Sequence, residues 1–221
     1  MDAQKDVGPR SNFLEVLVHG ATKGPGHLGL CLQSWRTDPE KAVALGPAHD
    51  AVLAAMHREH GTGETWSTVA ARWGIIRIDL LNQLHMHVAY GPGCIAAVAA
   101  MRPDGDGEFW HQVAVRMGIT NPGMLQVLER SVAEGPARDA ALAAMEPEDG
   151  SGELWNMVAD RMEISDPVMR NQLESAVTYG PAREAVLAAM RPGGSGETWE
   201  EVANRMGITS LIFRGYLRAT I

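Results

Sequence analysis

The chain has 221 residues, 45% of them apolar, a formal net charge of −8 and two cysteines, Cys31 and Cys94. That is enough apolar material for a real core, and too few cysteines for a disulfide framework. No run approaches the length of a membrane span, and the acidic balance argues against non-specific nucleic-acid binding, which needs clustered cations to displace counterions from phosphates.

The chain begins MDAQKDVGPR, without a charged-then-apolar leader, so a soluble, intracellular protein is expected. Gly8-Pro9 opens an apolar helix through Phe13, Leu14, Leu17 and Val18, and Asp38-Pro39 precedes Gly46 as Asp166-Pro167 precedes Gly180. Residues 1–45 read as a shortened, degenerate copy of the units downstream, suited to an N-terminal cap.

Beyond residue 45 the chain repeats. Gly-Pro recurs at 46, 91, 135 and 180, dividing the sequence into repeat 1 (46–90), repeat 2 (91–134), repeat 3 (135–179) and repeat 4 (180–221). In each, Pro suits the first turn of a helix and Gly is expected to close the preceding helix in a left-handed conformation. Helix one comes next: Ala182, Ala185, Val186, Ala189 and Met190 share one helical face. A Gly-containing turn leads to Thr62, Asp106, Ser151 or Ser195, read as N-caps, and then to Glu64, Glu108, Glu153 or Glu197, read as first-turn glutamates facing the positive helix dipole. Helix two carries Trp199, Val202, Ala203 and Met206 on one face. Trp66, Trp110, Trp155 and Trp199 are therefore read as core anchors, with Arg72, Arg116, Arg161 and Arg205 beside them in ion pairs or carbonyl caps.

Val202-Ala203-x-x-Met206-Gly207-Ile208, with Phe213 downstream, and Val113-Ala114-x-x-Met117-Gly118-Ile119 resemble helix-turn-helix and homeodomain-like three-helix modules. The resemblance spans about residues 46–221, with Glu163 standing where repeat 3 should have the turn glycine. It implies a third helix in each repeat. The expected fold is an all-α, elongated, α-solenoid-like array of three-helix repeats of about 45 residues behind the cap.

The outward positions of helix three are the candidate partner-binding residues: Asn82, Gln126 and Asn171 in one column, His85, Glu129, Glu174 and Arg218 in the next, with Arg214. Two glutamates would repel phosphates, so a non-enzymatic scaffold for a protein partner is the expected function. A DNA-binding protein of tandem helix-turn-helix units is the alternative. The net charge by segment, from the cap to repeat 4, is 0, −1, −2, −6 and +1, and the acidity of repeat 3 points to a basic partner patch. Lysine occurs only at Lys5, Lys23 and Lys41, which compositional bias explains first and a bacterial effector translocated into a host cell second. His49, His57, His60, His85 and His87 crowd repeat 1 without zinc-ligand spacing, and Asp104–Glu108 lacks the spacing of a calcium loop. No catalytic constellation, metal or other cofactor is expected.

Overall fold

A computed structural model describes residues 9–57, 61–146 and 150–221, all-α and without a strand among them. The first segment holds α1 (Pro9–Thr22), α2 (Pro25–Thr37) and α3 (Pro39–Ala44). Repeat 1 holds α4 (Pro47–Ala55), α5 (Trp66–Arg72) and α6 (Ile78–Val88); repeat 2 holds α7 (Cys94–Ala100), α8 (Trp110–Met117) and α9 (Pro122–Val132). Repeat 3 holds α10 (Arg138–Ala144), α11 (Trp155–Arg161) and α12 (Pro167–Val177); repeat 4 holds α13 (Arg183–Ala189), α14 (Trp199–Arg205) and α15 (Leu211–Ala219).

The Gly-Pro joints differ from the left-handed closures expected of them. Helix three of one repeat runs into helix one of the next through a single π turn, over Ala89–Gly93, Ala133–Ala137 and Thr178–Ala182. Gly135 (φ −106°, ψ −106°) and Gly180 (φ −98°, ψ −108°) leave helical geometry with negative φ. A residue before proline is pushed out of the helical region by the pyrrolidine ring, which accounts for a kink where a cap was expected.

Left-handed residues stand instead in the turn before helix two, at Gly63, Gly107, Gly152 and Gly196, and at the end of helix two. Gly118 and Gly207 adopt φ of +69° and +67°, and the isoleucines after them close a Schellman motif. Ile119 donates its N–H to Ala114 O at 2.8 Å, and Ile208 donates to Ala203 O at 2.9 Å. Glu163 takes the same conformation with φ +54°, and Ile164 bonds Ala159 O at 2.9 Å. Between helices one and two the chain turns so tightly that a Cβ on Gly105 or Gly194 would collide with the carbonyl oxygens of Ala100 or Ala188.

Thr62, Asp106, Ser151 and Ser195 are not the N-caps of helix two. Their side-chain oxygens accept from the N–H of the glutamate two residues on, and the helix starts later, with Thr65 and Thr198 as its caps in repeats 1 and 4. Glu64, Glu108, Glu153 and Glu197 consequently precede the first turn.

The chain forms two compact bodies, one of residues up to Ala96 with His111–Leu128, the other of Ala97–Trp110 with Glu129–Ile221. The core of the first joins Val16, Val43, Ala44, Ala70, Leu80 and Leu84, with Trp35, Trp66 and Trp73 packed against it. In the second, Val158, Ala159, Leu173, Val186, Val202, Ala203 and Leu217 are buried. Two apolar expectations change: Val18 is exposed while its neighbour Val16 is buried, and Met190 is 56% exposed. The side chains of Phe13, Leu14 and Leu17, and His60 as a whole, lie outside the described residues.

Candidate interaction surface

The first amides of a helix have no intrahelical acceptor. In three places a glutamate six residues before a Gly-Pro joint satisfies the start of helix three in the next repeat. Glu40 Oε1 accepts from the N–H groups of Ile76 and Arg77, both at 2.8 Å. Glu129 Oε1 accepts from Ser165 N (2.5 Å), Ser165 Oγ (3.0 Å) and Asp166 N (2.9 Å). Glu174 Oε1 repeats the set with Thr209 N (2.5 Å), Thr209 Oγ1 (3.1 Å) and Ser210 N (2.8 Å). A carboxylate at a helix N-terminus also meets the positive end of its dipole.

A second bond joins successive repeats, beside the Glu129 and Glu174 clamps and also between repeats 1 and 2. The indole N–H of Trp66 donates to Gly118 O at 2.9 Å, that of Trp110 to Glu163 O at 3.3 Å and that of Trp155 to Gly207 O at 2.9 Å. Each acceptor is the left-handed residue that ends helix two of the next repeat. The tryptophans therefore contribute both to their own repeat and to its junction with its successor.

The column read as outward divides accordingly. His85, Glu129 and Glu174 are buried, only 6%, 6% and 4% exposed, because this edge of helix three faces the succeeding repeat and not solvent. They are corrected from partner-binding to interior positions. Asn82, Gln126, Asn171 and Arg218 are exposed. Arg214 is half-buried; its guanidinium donates to Asn204 Oδ1 (2.9 Å) and Ile208 O (3.0 Å) and lies over the Trp199 ring. The signal that sequence reasoning missed was paired: a glutamate at a constant distance from Gly-Pro, matched by Ser-Asp or Thr-Ser at the next helix start.

The helix-two arginines make ion pairs within their own repeats, Arg72 with Glu64 (2.9 Å), Arg161 with Glu153 (2.9 Å) and Arg205 with Glu197 (2.8 Å). The hydrogen bond from the guanidinium holds Glu153 and Glu197 below the ordinary carboxylate value and raises Arg161 and Arg205. Arg116 occupies the corresponding last turn of α8. Much of the acidity of repeat 3 is spent internally: Glu153 and Asp160 pair with Arg161 and Arg170, Asp166 caps α12, and Glu174 is a clamp.

In repeat 1 a histidine replaces the clamp glutamate. His85 stacks on Trp66 with ring centroids 4.5 Å apart, and its buried Nε2 has no hydrogen-bond partner. Burial depresses its pKa. His87 is also lowered, by burial first and then by His49, whose ring meets it edge-on at 4.7 Å. Asp50 is lowered overall: burial opposes its ionisation, but the hydrogen bond with His49 and the nearby His19 and Lys23 outweigh it. Among the described residues no three His, Cys, Asp or Glu side chains converge to hold a metal ion, and no helix is long and apolar enough to cross a membrane.

The exposed surface includes large apolar side chains. At the start of helix three, Ile76 and Ile78 stand out in repeat 1, Val168 in repeat 3, and Leu211 and Ile212, at 86% and 79% exposure, in repeat 4. An open groove of about 590 Å³ in the second body is lined by Ala133, Glu134, Arg138, Leu142, Leu173 and Tyr179. The chain matches no protein-family model, no curated protein and no solved structure.

Proposed function

We propose that the chain is a non-enzymatic helical scaffold that binds a protein partner through the exposed starts of its third helices. One observation carries this reading. The side chains that recur between repeats are consumed in cores, clamps and indole bonds, whereas the exposed helix-three starts differ from repeat to repeat and present Ile76, Ile78, Val168, Leu211 and Ile212 to solvent. Apolar side chains grouped together in water mark surfaces that another macromolecule covers, and Ile76 with Ile78 and Leu211 with Ile212 are such groups at single helix starts. A helix-turn-helix protein reading DNA would place donors such as Arg, Asn and Gln at these same helix starts. Their apolar character favours the protein partner over the duplex.

The test is site-specific photo-crosslinking in cells. A crosslinker at Ile78 or Ile212 is expected to trap a defined protein, and one at exposed Glu200 on helix two is not. Equal capture from all three positions, or none from the helix-three pair, would defeat the reading. Placement inside a host cell as a bacterial effector is a narrower proposal resting on the lysine-free repeats alone; its check is delivery of a reporter fusion into host cells.

A further inference from the structure

Repeat 4 carries the donor half of the junction found between earlier repeats, but not the acceptor half. Trp199 occupies the position of Trp66, Trp110 and Trp155, yet, unlike theirs, its indole N–H has no acceptor among the described residues; its ring is half-buried, as those of Trp66 and Trp110 are. Met190 occupies the position of Met56, Met101 and Met145. Met56 and Met145 are 8% and 7% exposed and Met101 is half-buried, whereas Met190 is 56% exposed. At the clamp position, where Glu129 and Glu174 accept helix amides, repeat 4 has the exposed Arg218. Repeat 4 is also the one segment with a net positive charge, +1.

The change from Glu to Arg inverts what this edge can receive. Glu174 accepts two amides and a hydroxyl from the neighbouring helix start; a guanidinium has donors only and would repel that positive helix end. With the indole N–H also a donor, the edge suits an occupant that offers acceptors alone, and Met190 and the Trp199 ring add an apolar floor. We infer that the Met190, Trp199 and Arg218 edge of repeat 4 docks an acidic amphipathic peptide segment of a partner protein, a carboxylate seated on Arg218 and a backbone carbonyl on the Trp199 indole. The inference rests on the scaffold reading and specifies the partner's chemistry. Arg218 also lies in the last turn of α15, where a cation complements the helix dipole. That role alone would leave peptide binding indifferent to its charge.

The test uses the full chain and a fluorescein-labelled peptide of repeated Glu-Glu-Ala-Leu blocks, monitored by anisotropy, with circular dichroism to verify the fold of each variant. Arg218→Glu is expected to weaken binding about tenfold or more, as loss of a charge-assisted bond does. Trp199→Phe, which keeps an aromatic ring and removes the N–H, is expected to weaken it about threefold, and Arg183→Glu, of the same charge change at the opposite end of α13 from Met190, less than about twofold. No binding by the unaltered chain would overturn the inference, as would equal losses in Arg183→Glu and Arg218→Glu or equal binding of a Lys-Lys-Ala-Leu peptide. If crosslinking from Ile78 or Ile212 still traps a partner in those cases, the scaffold reading survives and this edge is excluded from it.

Discussion

Glu174 is almost wholly enclosed and satisfies two backbone N–H groups and a hydroxyl. Glu174→Ala leaves those donors without their acceptor and is expected to cost about 2–3 kcal/mol in urea unfolding. Glu174→Gln, which keeps an acceptor oxygen, should cost less than half of that. Arg161→Ala removes a pair whose arginine side chain is 53% exposed, and its cost should stay below about 1 kcal/mol. The reverse order would show that the clamp is incidental. His85, at the equivalent position of repeat 1, makes stability depend on pH. Burial holds its folded pKa below the ordinary 6.5, so the unfolded chain takes up the proton first as pH falls. The contribution is complete above about pH 6.5, is lost as pH drops from there through the folded value, and then levels off. His87 acts in the same direction. Unfolding at pH 7.5 and 5.5 should show the loss, and His85→Gln should reduce it; an unchanged loss would assign the effect elsewhere.

At the level of the element, the end of helix two shows how far local sequence specifies structure. Val-Ala-x-x-Met-Gly-Ile announces a Schellman stop because glycine tolerates the left-handed region and the isoleucine can turn back onto the helix, and the backbone obeys it in repeats 2 and 4. Repeat 3 makes the same turn with Glu163 at φ +54°, held there by Ile164 packing and by the indole bond from Trp110. A side chain in this conformation costs about 1–2 kcal/mol, part of which glycine returns through its freer unfolded state. Glu163→Gly is therefore expected to stabilise by about 0.5–1 kcal/mol in the same urea assay, and Gly207→Glu to destabilise by a similar amount. A neutral Glu163→Gly would mean that the glutamate side chain makes compensating contacts. The helix-one face and the Trp, Val and Ala positions of helix two were legible because they obey the helical period. The caps and joints were less so: a Ser or Thr before Gly-Glu reads as an N-cap, and only the placement of the helix start shows that it bonds a turn.

Across the whole molecule, sequence could not show which polar side chains face a neighbouring repeat. Periodicity gives a residue's angle around its own helix and carries no information about what lies opposite, so Glu129 and Glu174 looked like surface while Asn82 and Asn171 were correctly placed outside. The same limit governs charge. A net −8 reads as a generally acidic surface, yet many charges are internally committed: Arg72, Arg77, Arg161, Arg170, Arg205 and Arg214 all donate to carboxylate or amide oxygens. This thins the positive potential that a phosphate backbone would need, because releasing counterions requires cations free to approach. The chain is accordingly expected to leave a labelled DNA duplex unretarded at about 50 mM salt, a concentration at which phosphate-contacting proteins bind far more tightly than at physiological strength. Retardation that falls steeply with added salt would instead support the tandem helix-turn-helix reading and would require arginines now paired with Glu153, Glu197 or Asp160 to exchange those partners for phosphate. Arg161→Ala and Arg205→Ala separate the cases: under the scaffold reading neither changes duplex behaviour, whereas a DNA-binding protein would lose retardation in proportion to the cations removed.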